Sequence, residues 1–263
     1  MEQDTVKMIK RTIGLTLALV VAAGVIGALL WFFGSPWGCS GAEKQIEAYV
    51  AQTYPDQSLT VEKAVYDLPS HGYRAQVEDT AQKDAFFTVL VKNGQILSDS
   101  YEADVENKGN TIRRLEETYE ALVQERLEEL ELAAQVRAVV HLDSGAAPRV
   151  TLGMAFSLED ALPYSLMLEG TADAPTLDTA AALLGQVYGA LDTAAYSFSS
   201  YGVQLGQDGA MIAVAQVLPS QIAGGNLARI LQLALEGKTE NGIYIRVREL
   251  AQNSEPESTS EKA

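Results

Sequence analysis

Tyr196–Val217, YSFSSYGVQLGQDGAMIAVAQV, sets two runs of apolar residues around a Gly206-Gln207-Asp208-Gly209 turn. Glycine and aspartate there suit the left-handed backbone of a tight hairpin, so the stretch predicts paired strands over Tyr196–Leu205 and Ala210–Val217. On either side the period changes. Thr176–Leu191 and Leu227–Leu235 repeat apolar residues at helical spacing, whereas Tyr164–Glu169 and Ile243–Leu250 read as strands. The resulting order, βαββαβ, is that of the ferredoxin-like split unit. Val136–Leu142 and Val150–Phe156 predict two further strands ahead of it. In the first helix Ala181, Gly185 and Gly189 recur every four residues. Glycine lowers helix propensity, so close approach of this helix to the sheet is the expected compensation.

Upstream, Ala42–Tyr54 places Ile46, Tyr49, Val50 and Thr53 on one helical face. Residues then alternate with period two: Leu59, Val61 and Val65; Tyr73, Ala75 and Val77; Phe87, Val89 and Val91. Turn clusters at Leu68–Gly72 and Asp79–Asp84, then Asn93-Gly94, separate the runs, and Gln95–Tyr101 adds a short strand. One helix followed by an antiparallel meander predicts a cystatin-like helix-plus-sheet unit. Thr111 to Leu132 follows as an acidic helix with an apolar seam of Ile112, Leu115, Tyr119, Leu122 and Leu130, and its Glu face reads as solvated. Residues 41–132 carry 19 acidic and 9 basic side chains in 92, whereas 133–250 carry 11 and 6 in 118. The fall in charge puts a domain boundary near 133. The fold class expected is α+β, with a cystatin-like unit over 41–132, a ferredoxin-like unit over 133–250 and a polar, disordered tail over 251–263.

The N-terminus carries a different signal. Ile13–Phe33, IGLTLALVVAAGVIGALLWFF, is an uncharged run of 21 residues. As a helix it is roughly 31 Å long, the thickness of a bilayer core. It predicts a single transmembrane helix anchored by Ile13, Leu17, Val21, Leu29, Trp31 and Phe33. Lys7, Lys10 and Arg11 precede it, which assigns residues 1–12 to the cytoplasm and the remainder to the extracytoplasmic side. Trp31, Phe32, Phe33 and Trp37 read as an interfacial belt, with Pro36 stopping the helix. Two other readings share these residues: a signal peptide cleaved near Ser40-Gly41-Ala42, or a lipoprotein acylated at Cys39. Gly24 and Ala28 form a small-xxx-small pair of the kind that brings membrane helices together.

A net charge of −16 excludes nucleic acid as partner, because phosphates demand stripes of Lys and Arg. One cysteine, Cys39, and two histidines, His71 and His141, leave no internal disulfide, zinc knuckle or CxxC pair. No Walker loop, GxGxxG, HExxH or GxSxG is present, so no cofactor, metal or catalytic residue is expected. Glu102-x-Asp104-x-Glu106 begins like a calcium loop, but Asn107 stands where that loop needs glycine and Arg113 where it needs a bidentate Glu.

Pro36-Trp37 after the apolar run, the helix at Ala42–Tyr54, Leu59–Tyr66 (LTVEKAVY), Tyr73–Val77 and Tyr196–Val203 (YSFSSYGV) together resemble the YfjL-like proteins of Gram-positive bacteria. The resemblance implies a membrane-anchored, two-domain protein without transferable catalytic residues. Function is therefore expected to be binding or scaffolding for a protein partner at the cell surface, with the charge-poor 133–250 as the docking region. The alternative is a cystatin-like or PepSY-like regulator of a cell-surface protease or wall enzyme.

Overall fold

The computed structural model describes residues 16–25, 27, 35–238 and 242–248. The protein is α+β with two separate sheets, and it divides into compact units at Asn110/Thr111.

In the first unit, helix α1 spans Pro36–Thr53. Ser35 caps it, its hydroxyl accepting from Gly38 N at 2.9 Å, and Pro36 occupies the first helical position. Pro36 thus begins a helix where a stop was expected, because at that position its missing N–H is an orphan anyway and its fixed φ is helical. The sheet comprises β1 (Thr60–Val61), β2 (Val65–Asp67), β3 (Gly72–Glu78), β4 (Phe86–Lys92) and β5 (Gln95–Asp99). All pairs are antiparallel, in the order β1-β3-β4-β5 with β2 also on β3. Asn93 and Gly94 close the β4–β5 hairpin with φ of 50° and 72°, the backbone that selects this dipeptide. Ala42, Ile46 and Val50 on α1 and Ala75, Val77, Phe87, Val89 and Val91 on the sheet are buried. Period 3.6 in the helix and period two in the strands therefore serve one core. The calcium-like Glu102–Glu106 stretch is a single π-helical turn in which Asp104 accepts from the Ser100 hydroxyl at 2.6 Å.

The second unit is built on β6 (Gln135–Leu142), β7 (Tyr164–Thr171), β8 (Ser200–Gln207), β9 (Ala210–Val217) and β10 (Tyr244–Arg248). Helix α2 (Gly109–Glu128) enters it, and α3 (Leu177–Thr193), α4 (Pro219–Ala223) and α5 (Leu227–Leu235) follow. Leu115, Tyr119, Val123 and Leu127 of α2 join a core with Leu166, Leu168, Leu184, Val187, Val203, Leu205 and Leu231. The buried side of α2 thus runs through Val123 and Leu127, one position on from the expected Leu122. Tyr119 sits at its centre, stacked on Phe198 at 4.8 Å and bonded through its hydroxyl to both Ser197 N and Ser197 O.

Three expectations are overturned. The element order βαββαβ is present, but the sheet is not ferredoxin-like: its strands run β10-β9-β8-β7-β6. A ferredoxin-like order would place the last strand beside the first. Here β6 occupies that edge of β7 over eight residue pairs, and β8 pairs parallel with the opposite edge. Val150–Phe156 is not a strand, since turns and 3-10 segments bridge β6 and β7. Gly185 and Gly189 face open space; a methyl group added at either would touch nothing within 4 Å. Close approach belongs instead to Gly170, where a side chain would strike the Gln135 carbonyl, and to Gly202, which lies under Met167.

The single transmembrane helix over 13–33, and with it the single-pass membrane topology and cell-membrane localisation, also requires correction. Among the described residues, no helix is long and apolar enough to cross a membrane. Residues 16–25 and 27 are helical. Leu17 and Val21 lie there with 64% and 59% of their surface exposed. Ile13, Leu29, Trp31, Phe33, Lys7, Lys10 and Arg11 fall outside the described residues, as does the 251–263 tail.

Candidate functional site

All the long helices of the second unit cover one face of its sheet. Alternation assigns Ala138, Val140, Leu166, Leu168, Val203, Leu205, Ile212 and Val214 to that buried face. The intervening residues line the opposite face. Cross-strand register places Val139 against Met167, Met167 beside Gly202, and Arg246 beside Ala213. Met211 and Ala215 continue the row. These floor residues, Val139, Met167, Met211, Ala213 and Ala215, are half-buried. Gly202 lets the Met167 thioether lie flat across its strand. Arg137, bridged to Glu169 at 2.8 Å, lies at one rim with His141; Tyr244, Arg246 and Arg248 form the other. Apolar floor residues between polar rims are the composition of a contact surface.

On the helix side, beside β10, a groove of about 520 Å³ is lined by Leu177, Ile212, Leu235 and Val247, with Asp178 and Arg248 at its margin. Leu235 and Val247 remain 46% and 42% exposed.

The first unit brings together a carboxylate and three phenols. Asp99 Oδ2 accepts from the hydroxyls of Tyr49 and Tyr54 at 2.8 and 2.7 Å, and Oδ1 accepts from Tyr101 N at 2.7 Å. Burial first, then the Asp99 carboxylate, pushes both phenols above their ordinary pKa, so each keeps its proton. Tyr54 packs on Tyr101 and Phe87 at 4.4 and 5.4 Å. This arrangement fastens the end of α1 to the end of β5 and leaves Asp99 with both oxygens engaged. A smaller groove of about 400 Å³ includes His71, Tyr73 and Gln45. His71 Nδ1 meets the Tyr66 hydroxyl at 3.0 Å, and its φ of 51° marks a tight turn. His141 approaches Glu116 at 3.8 Å with most of its side chain in solvent. Among the described residues, no three His, Cys, Asp or Glu side chains converge as a metal ion requires. Cys39 is half-buried in the first turn of α1.

Residues 9–123 match the family model described as YfjL-like, N-terminal domain. Over this region the chain is similar to YfjL-like N-terminal domains. No curated protein and no solved structure matches the chain. The YfjL-like match takes in the whole described first unit and most of α2, as far as Val123. The resembling segment at Tyr196–Val203 and all ten floor and rim residues of the bare face lie beyond it. Composition had marked 133–250 as charge-poor without naming a residue. The signal that locates the face is the alternation of Met211, Ala213 and Ala215 with the branched Ile212 and Val214.

Proposed function

We propose that the chain is a non-catalytic binding module whose second unit docks a protein partner on the bare face of its sheet. The observation that carries this reading is the floor of Val139, Met167, Met211, Ala213 and Ala215, which no helix covers among the described residues. An antiparallel or mixed sheet tolerates water on one side, but that side is ordinarily polar. Here Val139, Met167, Met211, Ala213 and Ala215 share the face with Gln204 and with Glu169, which is paired to Arg137, and Arg246 stands on the edge strand. The polar clusters elsewhere serve the fold: Asp99 clamps α1, and Tyr119 ties α2 to Ser197.

A photo-crosslinking residue at Ala213, in intact cells, is expected to yield one reproducible protein adduct identifiable by mass spectrometry. Met167→Glu should remove it by placing a charge in the contact. The same probe at Ala182, exposed on α3, is the control. Equal labelling from both positions would overturn the reading.

A further inference from the structure

The two edges of the second sheet are treated differently. Along β6, side chains of α2 occupy the outward N–H groups: Gln124 Oε1 accepts from Ala138 N at 2.9 Å and Glu116 Oε1 from Leu142 N at 2.8 Å. These two contacts obstruct pairing along that edge. At the other end β10 bonds to β9, and among the described residues nothing pairs with its outer side. Its side chains alternate sharply. Alternation puts Arg246 on the bare face and Val247 on the groove side with Leu177 and Leu235, and Arg248, at the strand's end, borders that groove. Two of the six basic residues in 133–250 thus stand on one five-residue strand, and neither forms an ion pair among the described residues. At physiological salt, charge is screened beyond about 8 Å, so these guanidinium groups, not the net charge of −16, set the local preference.

We propose that β10 captures an extended peptide segment of alternating acidic and apolar residues, which adds to the sheet as its sixth strand. Backbone pairing supplies register, carboxylates meet Arg246 and Arg248, and apolar side chains enter the groove beside Val247, Leu235 and Leu177. A second copy of the chain fits poorly. Full antiparallel overlap of two β10 strands sets Arg246 directly against Arg246, a like-charge pair that destabilises a ladder. The inference rests on the reading of the second unit as a docking module and gives its partner a chemistry.

The test uses the full chain and a fluorescent eight-residue peptide alternating glutamate and valine, with a lysine–valine peptide as control, read by anisotropy and amide hydrogen exchange. The glutamate peptide is expected to bind and to slow exchange in 244–248, and the lysine peptide is not. Arg246→Glu with Arg248→Glu should weaken binding at least tenfold, whereas Arg246→Lys with Arg248→Lys should retain most of it. Equal affinity for both peptides, or no change in the glutamate variant, overturns the proposal. So does slowed exchange in 244–248 that depends on protein concentration without peptide, which would assign the edge to a second copy. Tenfold tighter peptide binding by Glu255→Lys with Glu257→Lys would assign it to the chain's own tail. Loss of the Ala213 adduct with peptide binding intact would sink only the bare-face reading, and the converse only this one.

Discussion

At the scale of single residues, the glycines of α3 invert the expectation built on their spacing. Gly185 is exposed, and an added methyl group meets only solvent, so no packing compensates its backbone entropy. Gly185→Ala should therefore stabilise the second unit by about 1 kcal/mol. Thermal melting checks this, and a loss of stability would show that the helix contacts something there. Gly170→Ala should do the opposite, because the Gln135 carbonyl stands in the way. Tyr119 and Tyr164 both have their pKa pushed up to about 12, chiefly by burial. The folded state then holds these protons more tightly than the unfolded chain, whose phenols ionise near 10. Stability is fully present below pH 10 and is lost as pH rises from there towards 12. Tyr119→Phe should cost about 1–3 kcal/mol at neutral pH, by leaving Ser197 N and O without their partner. It should also flatten the alkaline fall in melting temperature, whereas an unchanged slope would place the titration elsewhere.

At the scale of elements, local pattern was legible and long-range pairing was not. Asn93-Gly94 and Asp208-Gly209 mark their hairpins because only a few residue types accept the positive φ those turns need. Leu227–Leu235 is a helix with the bounds its spacing predicts. The neighbour of β7 was hidden, because β8 alongside it buries the same Tyr201, Val203 and Leu205 that a ferredoxin-like order would bury. Alternation fixes a strand's face, not its partner. Helix α2 carries a similar lesson. Its Glu-rich surface reads as solvated, yet Glu116 and, four and eight residues along, Glu120 and Gln124 lie on one stripe, and two of these bond the β6 edge. Replacing Glu116 and Gln124 together by Leu leaves the N–H groups of Ala138 and Leu142 unpaired. The expected result is a lower melting temperature and concentration-dependent association by size-exclusion chromatography. A monodisperse variant of unchanged stability would mean that the helix does not guard this edge.

At the scale of the whole molecule, a YfjL-like unit and a one-sided sheet divide the chain between them. The fall in charge density put the expected boundary near residue 133, whereas the compact units divide at Asn110/Thr111 and the acidic helix packs into the second; composition also did not say which side of which strand is bare. The N-terminal apolar run shows the converse. Its length matched a bilayer, yet among the described residues no helix is long and apolar enough to cross one. The account's central claim is that the bare face is covered by a partner in the cell. Met167 and Met211 lie on that face, whereas Met154 packs against the core. Mild peroxide footprinting, quantified by mass spectrometry on purified protein and in intact cells, compares them directly. Met167 and Met211 should oxidise readily when the protein is pure and be protected severalfold in cells, with Met154 unchanged between the two. Oxidation of Met167 and Met211 at the same rate, relative to Met154, in both settings would contradict it.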